Sequence, residues 1–169
     1  MNEFALHLIS LIYFMAPAYL ANMAPPFVRY WKGWNRPIHQ RLLGSHKTVL
    51  GFALGVAVAV LVTRLQAALA WPIGRIDYGH WLLFGLGFGV GAMAGDALKS
   101  LLKRRLAIAP GKPWLPFDQL DFALGALALV GVQAALSWPD VLVILIATFV
   151  GDLAVNRLAF RLGIKESPW

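Results

Sequence analysis

The sequence predicts an all-α integral membrane protein, a bundle of five transmembrane helices with its N-terminus outside and its C-terminus in the cytoplasm. Three observations carry that reading. Of the 169 residues 59% are apolar and only 14% are charged, with a mean hydropathy of +0.66, so lipid suits the chain better than water does. Five apolar stretches approach the roughly 20 residues needed to cross a hydrocarbon core of about 30 Å. The connections between them alternate between strongly basic and nearly uncharged.

The stretches run from Phe4 to Met23, Val49 to Trp71, Trp81 to Leu98, Leu120 to Trp138 and Val141 to Phe160, and residues 1–169 form one transmembrane domain. The first begins Met1-Asn2-Glu3, without the basic start of a signal peptide. It is expected to be a retained helix, although Ala16-Pro17-Ala18 has the small-x-small pattern of a cleavage site. Pro139 and Asp140, between the fourth and fifth stretches, are expected to form a tight hairpin.

Residues 24–48 carry Arg29, Lys32, Arg36, Arg41 and Lys47 with no acid, and residues 99–118 carry Lys99, Lys103, Arg104, Arg105 and Lys112. The other two connections hold only Arg75 with Asp77, and Asp140. The positive-inside rule makes the two basic segments cytoplasmic loops, with Arg157, Arg161 and Lys165 on the same side. An excess of 15 Lys and Arg over 8 Asp and Glu would suggest nucleic acid in a soluble protein. Here the membrane accounts for it, so no nucleic-acid partner is expected. The absence of cysteine excludes disulfides and thiolate metal sites.

Glycines mark where helices approach. Gly87, Gly91 and Gly95 recur every four residues in the third stretch, and Gly51 and Gly55 do so in the second. Between spans lipid supplies no hydrophobic drive, so small residues that admit a neighbouring backbone are expected at contacts.

Ionisable residues in or beside spans carry functional expectations. Asp96 ends the third stretch, Asp118 and Asp121 begin the fourth, and Asp152, Asn156 and Arg157 lie in the inner part of the fifth. Asp118 and Asp121, three apart on a helix, are within reach of one hard cation, or else are a cap and a first-turn acid. Asp96, Lys99 or Ser100, and Lys103 share a helical face, where their charges together with Arg104 and Arg105 would hold phosphates or lipid headgroups. Gly44-Ser45-His46-Lys47-Thr48 lacks the first glycine and the strand of a P-loop. It still places a lysine and a hydroxyl at a helix start, which suits an anion.

The run Gly95-Asp96-Ala97-Leu98-Lys99-Ser100-Leu101-Leu102-Lys103-Arg104-Arg105, then Pro110-Gly111-Lys112-Pro113-Trp114 and Phe117-Asp118-Gln119-Leu120-Asp121-Phe122, resembles the central signature of CDP-archaeol synthases. Pro17-Ala18-Tyr19-Leu20-Ala21-Asn22 with Ala24-Pro25, and Asn156, Ala159-Phe160, Gly163, Lys165 and Pro168-Trp169, are similar too. The first basic loop departs from the pattern. It keeps Lys47, Thr48 and Gly51 but has His39 where the family usually shows an acid, and it lacks the family's arginine after the lysine.

This resemblance implies five spans, a cytoplasmic nucleotide site, Mg²⁺, and conversion of CTP and a lipid phosphate, phosphatidate or an archaeal-type ether lipid, to a CDP-lipid and pyrophosphate. With it, Asp96, Asp118 and Asp121 are expected to hold Mg²⁺, and Lys103 to join them as a catalytic residue. Asn22, Lys47, Thr48, Lys99, Ser100, Arg104 and Lys112 are expected to bind substrate. A multi-pass cell-membrane enzyme with its site facing the cytoplasm follows. The competing expectations are a small transporter, for which Asp96 and Asp152 speak, and an inactive scaffold of the same fold.

Overall fold

The computed structural model describes residues 2–109 and 112–163. Pro110, Gly111, Lys165, Pro168 and Trp169, which belong to the resemblance, lie outside them.

Capping side chains open most of the helices. Asn2 accepts the Phe4 N–H at the start of α1 (Glu3–Met23), which gives way to a 3-10 segment (Pro25–Tyr30) at the Pro25-Pro26 pair. His39 caps the single turn α2 (Gln40–Leu43), and Thr48 caps α3 (Val49–Leu69) by accepting the Gly51 N–H at 3.1 Å. Asp77 leads the chain into α4 (Trp81–Arg105) through a short 3-10 turn. The Gly79 N–H and the His80 ring hold its carboxyl below the usual carboxylate range. Then follow α5 (Phe117–Val130) and α6 (Trp138–Arg161). Among the described residues the one pairing of extended backbone is the antiparallel bridge Pro37–Thr48.

Four helical segments among the described residues are long and apolar enough to cross a membrane: Glu3–Val28, Val49–Leu69, Tyr78–Arg105 and Trp138–Leu158. The predicted fourth stretch differs from them. Its helix α5 has 14 residues, a rise of about 21 Å. The chain leaves it at Gly131 and turns through residues 131–135, with Ala135 at φ 47°. The turn expected at Pro139 and Asp140 therefore lies earlier. Ser137 and Asp140 form a reciprocal capping box and Pro139 sits in the first turn, where its missing N–H is harmless, so α6 starts at Trp138.

The helix that carries the third apolar stretch runs on through residues 99–105, the extension on which the shared face of Asp96, Lys99 and Lys103 depends. No glycine or proline interrupts 96–105, and three basic residues in the last turn complement the negative end of the helix dipole. With 25 residues α4 rises about 37 Å, more than a bilayer core.

α1 packs against α3, α4, α5 and α6, with the Phe14 and Phe88 rings 5.1 Å apart and Tyr19 and Phe122 6.0 Å apart. Tyr19 and Thr148 share a hydrogen bond of 2.9 Å to α6. Leu142, Ile146 and Val150, four apart along α6, are exposed, the stripe a helix offers to lipid. The tightest contact joins α4 and α5. A Cβ at Gly91 would lie 2.8 Å from the Ala126 Cα, and one at Gly95 would meet the Asp121 carbonyl. The glycine repeat thus sets the depth at which α5 seats against α4. At the end of the bundle away from the basic segments, Asp140 draws together His7 at 2.7 Å and Arg75 at 3.4 Å.

Candidate active site at the basic end of α4 and α5

On α4, Asp96, Lys99 and Lys103 fall at offsets of three and seven and share the face turned toward α5. Because glycines let α5 approach, its N-terminal part brings Asp118 and Asp121 against that face. Lys99 Nζ lies 2.7 Å from Asp121 Oδ2, 3.1 Å from Asp96 Oδ1 and 3.5 Å from Asp118 Oδ1. Lys103 Nζ reaches both Asp118 oxygens at 3.0 Å and the Lys112 carbonyl at 2.6 Å. Lys47 pairs with Asp96 from the other side.

Three carboxylates and three ammoniums thus form one network across two helices and a loop. It is sheltered: the Asp121 side chain is 5% exposed and that of Lys99 16%. Such a site has charges of both signs close at hand for anionic phosphates and for a hard cation.

Asp118 is not the helix cap that its position allowed. Pro116 stands there without a side-chain bond, and Asp118 accepts the Trp114 N–H at 2.6 Å while facing the two lysines. That bond and the Lys103–Lys112 contact tie the segment 112–114 to the network. Lys47 is positioned by a hairpin-like crossing, in which the Ile38 N–H donates to the Lys47 carbonyl at 2.8 Å and the Val49 N–H to that of Arg36 at 3.0 Å. Local sequence held no sign of the Lys47–Asp96 pairing. The two residues lie 49 apart, and only the crossing brings them together.

Other expected residues stand differently. The Ser100 hydroxyl donates to the Asp96 carbonyl within α4, and Ser100 is buried. Arg104 donates to the Ile108 carbonyl at 3.3 Å, closing its own helix end. The Lys112 side chain is exposed, and Asn22 is half-buried in the last turn of α1. Thr48 joins Lys47, His46, Pro25, Met93 and Asp96 around a cavity of about 40 Å³. A larger cavity of about 320 Å³, between α4 and α5 near Gly87, Val90, Leu129 and Val130, is lined by no ionisable group.

For a divalent cation the donor chemistry fits. Asp96, Asp118 and Asp121 supply hard carboxylate oxygens, and the buried Asp121 has its Oδ2 met by the Lys99 ammonium at 2.7 Å. Among the described residues no three acids or imidazoles stand close enough to hold a metal ion as they are.

A protein-family model described as CarS-like, CDP-archaeol synthase, matches residues 4–169. Similar proteins include the CDP-archaeol synthase of Aeropyrum pernix, 38% identical with 96% of this chain and 93% of that protein covered. Those of Thermofilum pendens (37%; 90% and 77% covered) and Thermococcus gammatolerans (35%; 94% and 94%) are alike. A solved structure described as an intramembrane enzyme for archaeal membrane lipid biosynthesis matches with a TM-score of 0.71 at 31% identity, over 86% of this chain and 91% of that one.

Proposed function

This chain belongs to the CDP-archaeol synthase family of membrane cytidylyltransferases, and from that premise we propose that it transfers the cytidylyl group of CTP to an ether-linked lipid phosphate, releasing pyrophosphate. The observation that carries the site assignment is the convergence of Asp96, Asp118 and Asp121 on Lys99, flanked by Lys47 and Lys103, at one end of the bundle. A soluble nucleotide and a lipid headgroup meet at a membrane surface. A transporter would need its acids near the midplane, so that reading is not favoured.

The chemistry asks little of acids and bases. An ionised oxygen of the lipid phosphate attacks the α-phosphorus of CTP, the new P–O bond forms as the bond to the bridging oxygen breaks, and pyrophosphate leaves with the electron pair. Charge is what must be managed. Lys47, Lys99 and Lys103 bind and neutralise phosphate oxygens, with Arg104 and Lys112 at the rim. Asn22 and Thr48 hydrogen-bond substrate, and Ser100, its proton engaged by the helix, offers lone pairs only. Asp96, Asp118 and Asp121 would hold Mg²⁺, which when bound offsets the triphosphate charge and that of the departing pyrophosphate.

Purified protein in liposomes, given radiolabelled CTP, should form a CDP-lipid and one pyrophosphate per product, with ether-linked lipid phosphate preferred over phosphatidate. A chelator should stop the reaction. No CDP-lipid from either substrate with folded protein would overturn the activity, and preference for phosphatidate would overturn the ether assignment alone.

The site faces the cytoplasm in this reading, with α5 and its following turns making a short fifth crossing and the N-terminus outside. Cysteine at exposed Ser45, on the basic side, should resist an impermeant thiol reagent in intact cells, while cysteine at exposed Asp77 should react. The reverse labelling would invert the orientation.

A further inference from the structure

Lys47, Lys99 and Lys103 all engage carboxylates that a divalent cation would need. We propose that Lys99 is the counterion of the unliganded site: its ammonium holds Asp96, Asp118 and Asp121 together until a divalent cation takes them, and the displaced ammonium then turns to the nucleotide phosphates. This rests on the cytidylyltransferase reading and adds the coupling by which that site is loaded.

Three observations carry it. Lys99 Nζ stands within 3.5 Å of carboxylates from two helices, at 2.7 Å from the most sheltered of them. Carboxylates this close repel one another unless a cation sits among them, and in this arrangement the cation is the lysine. Asp121 is buried and its Oδ2 has the Lys99 ammonium at 2.7 Å as its partner, so a metal ion and Lys99 compete for the same oxygen.

The network leaves little room at its Lys47 edge: the cavity there holds about 40 Å³, against the several hundred Å³ of an ordinary small-molecule site, so the side chains that line it, Lys47 among them, must move for a nucleotide to enter there. Lysine suits such an exchange, being a point charge on a flexible four-carbon stem. A metal ion arriving alone must expel Lys99 into poorer surroundings, whereas a nucleotide gives the expelled ammonium new oxygens. Metal and CTP therefore favour each other's binding.

The test uses Mn²⁺ alone, titrated into purified full-length protein in detergent and followed by electron paramagnetic resonance. Lys99→Met removes the competitor and should raise the affinity for nucleotide-free Mn²⁺ by about tenfold, while shrinking the further gain that CTP confers. Lys99→Arg, whose planar fork holds carboxylates more firmly, should bind Mn²⁺ more weakly than the unaltered protein. Unchanged or weakened Mn²⁺ binding in folded Lys99→Met, or tighter binding in Lys99→Arg, would overturn the counterion role. Should Lys99→Met fail to fold, Lys99→Arg still decides. If the cytidylyltransferase reading failed instead, turnover would be absent while this order of Mn²⁺ affinities persisted.

Discussion

Asp121→Asn should lower kcat/KM for CTP by about a hundredfold or more, the effect of removing one preorganised polar contact from a sheltered reaction centre. Asparagine keeps the shape and can still accept the Phe122 N–H that Asp121 Oδ1 accepts at 2.6 Å. What disappears is charge at the most sheltered carboxylate of the network. Lys99 retains Asp96 and Asp118, so the helices should stay seated and the loss should appear in turnover rather than in folding. Asp96→Asn and Asp118→Asn should behave alike, because the three acids share one task. Asp152→Asn is the control. Asp152 accepts from Asn156 at 2.7 Å along α6, and its replacement should change turnover by less than about threefold. Steady-state kinetics in liposomes, with circular dichroism to verify the helices, separates these outcomes. If Asp121→Asn kept near-normal turnover in Mg²⁺, the acids would be structural partners of the lysines and nothing more.

Lys103→Ala should weaken the same reaction by about ten- to a hundredfold, chiefly through KM for CTP, the loss of a charge-assisted contact being about 1.5–3 kcal/mol. Lys103 does two things at once. Its ammonium stands ready for phosphate, and it ties the 112–114 segment to α5 through the Lys112 carbonyl and both Asp118 oxygens. Alanine removes both functions, so backbone hydrogen exchange around Trp114 should quicken as well. Lys103→Arg keeps the charge but offers a planar fork where a compact ammonium bridges three oxygens, and should recover part of the affinity. An unchanged KM for CTP in Lys103→Ala would place the nucleotide elsewhere.

Much of this site was legible before folding. The helical face carrying Asp96, Lys99 and Lys103 follows from spacing alone, and the pair Asp118 and Asp121 from their separation of three. Other details were not. Ser100 shares that face by count, yet it lies buried with its proton given to the Asp96 carbonyl, and Arg104 turns back to Ile108. A helical wheel places Cβ atoms, whereas hydrogen bonds at a helix end decide where long or hydroxylated side chains go. Boundaries slipped for similar reasons. Apolar runs marked where lipid begins, but Ser137 with Asp140 opened α6 earlier than hydropathy suggested.

By itself the sequence determined the solvent, the helical class, the helix faces and, through the Gly95 to Asp121 signature, the family, because hydropathy, periodicity and motif are carried by neighbouring residues. Only the tertiary structure decided that Lys47 meets Asp96 across 49 residues, that Lys99 rather than Lys103 stands among all three acids, and that α5 makes a short helix. The physical reason lies in the contact between α4 and α5. Gly91, Gly95 and Gly125 let the two backbones approach closely, and that depth, a property of both helices together, puts Asp121 beside Lys99.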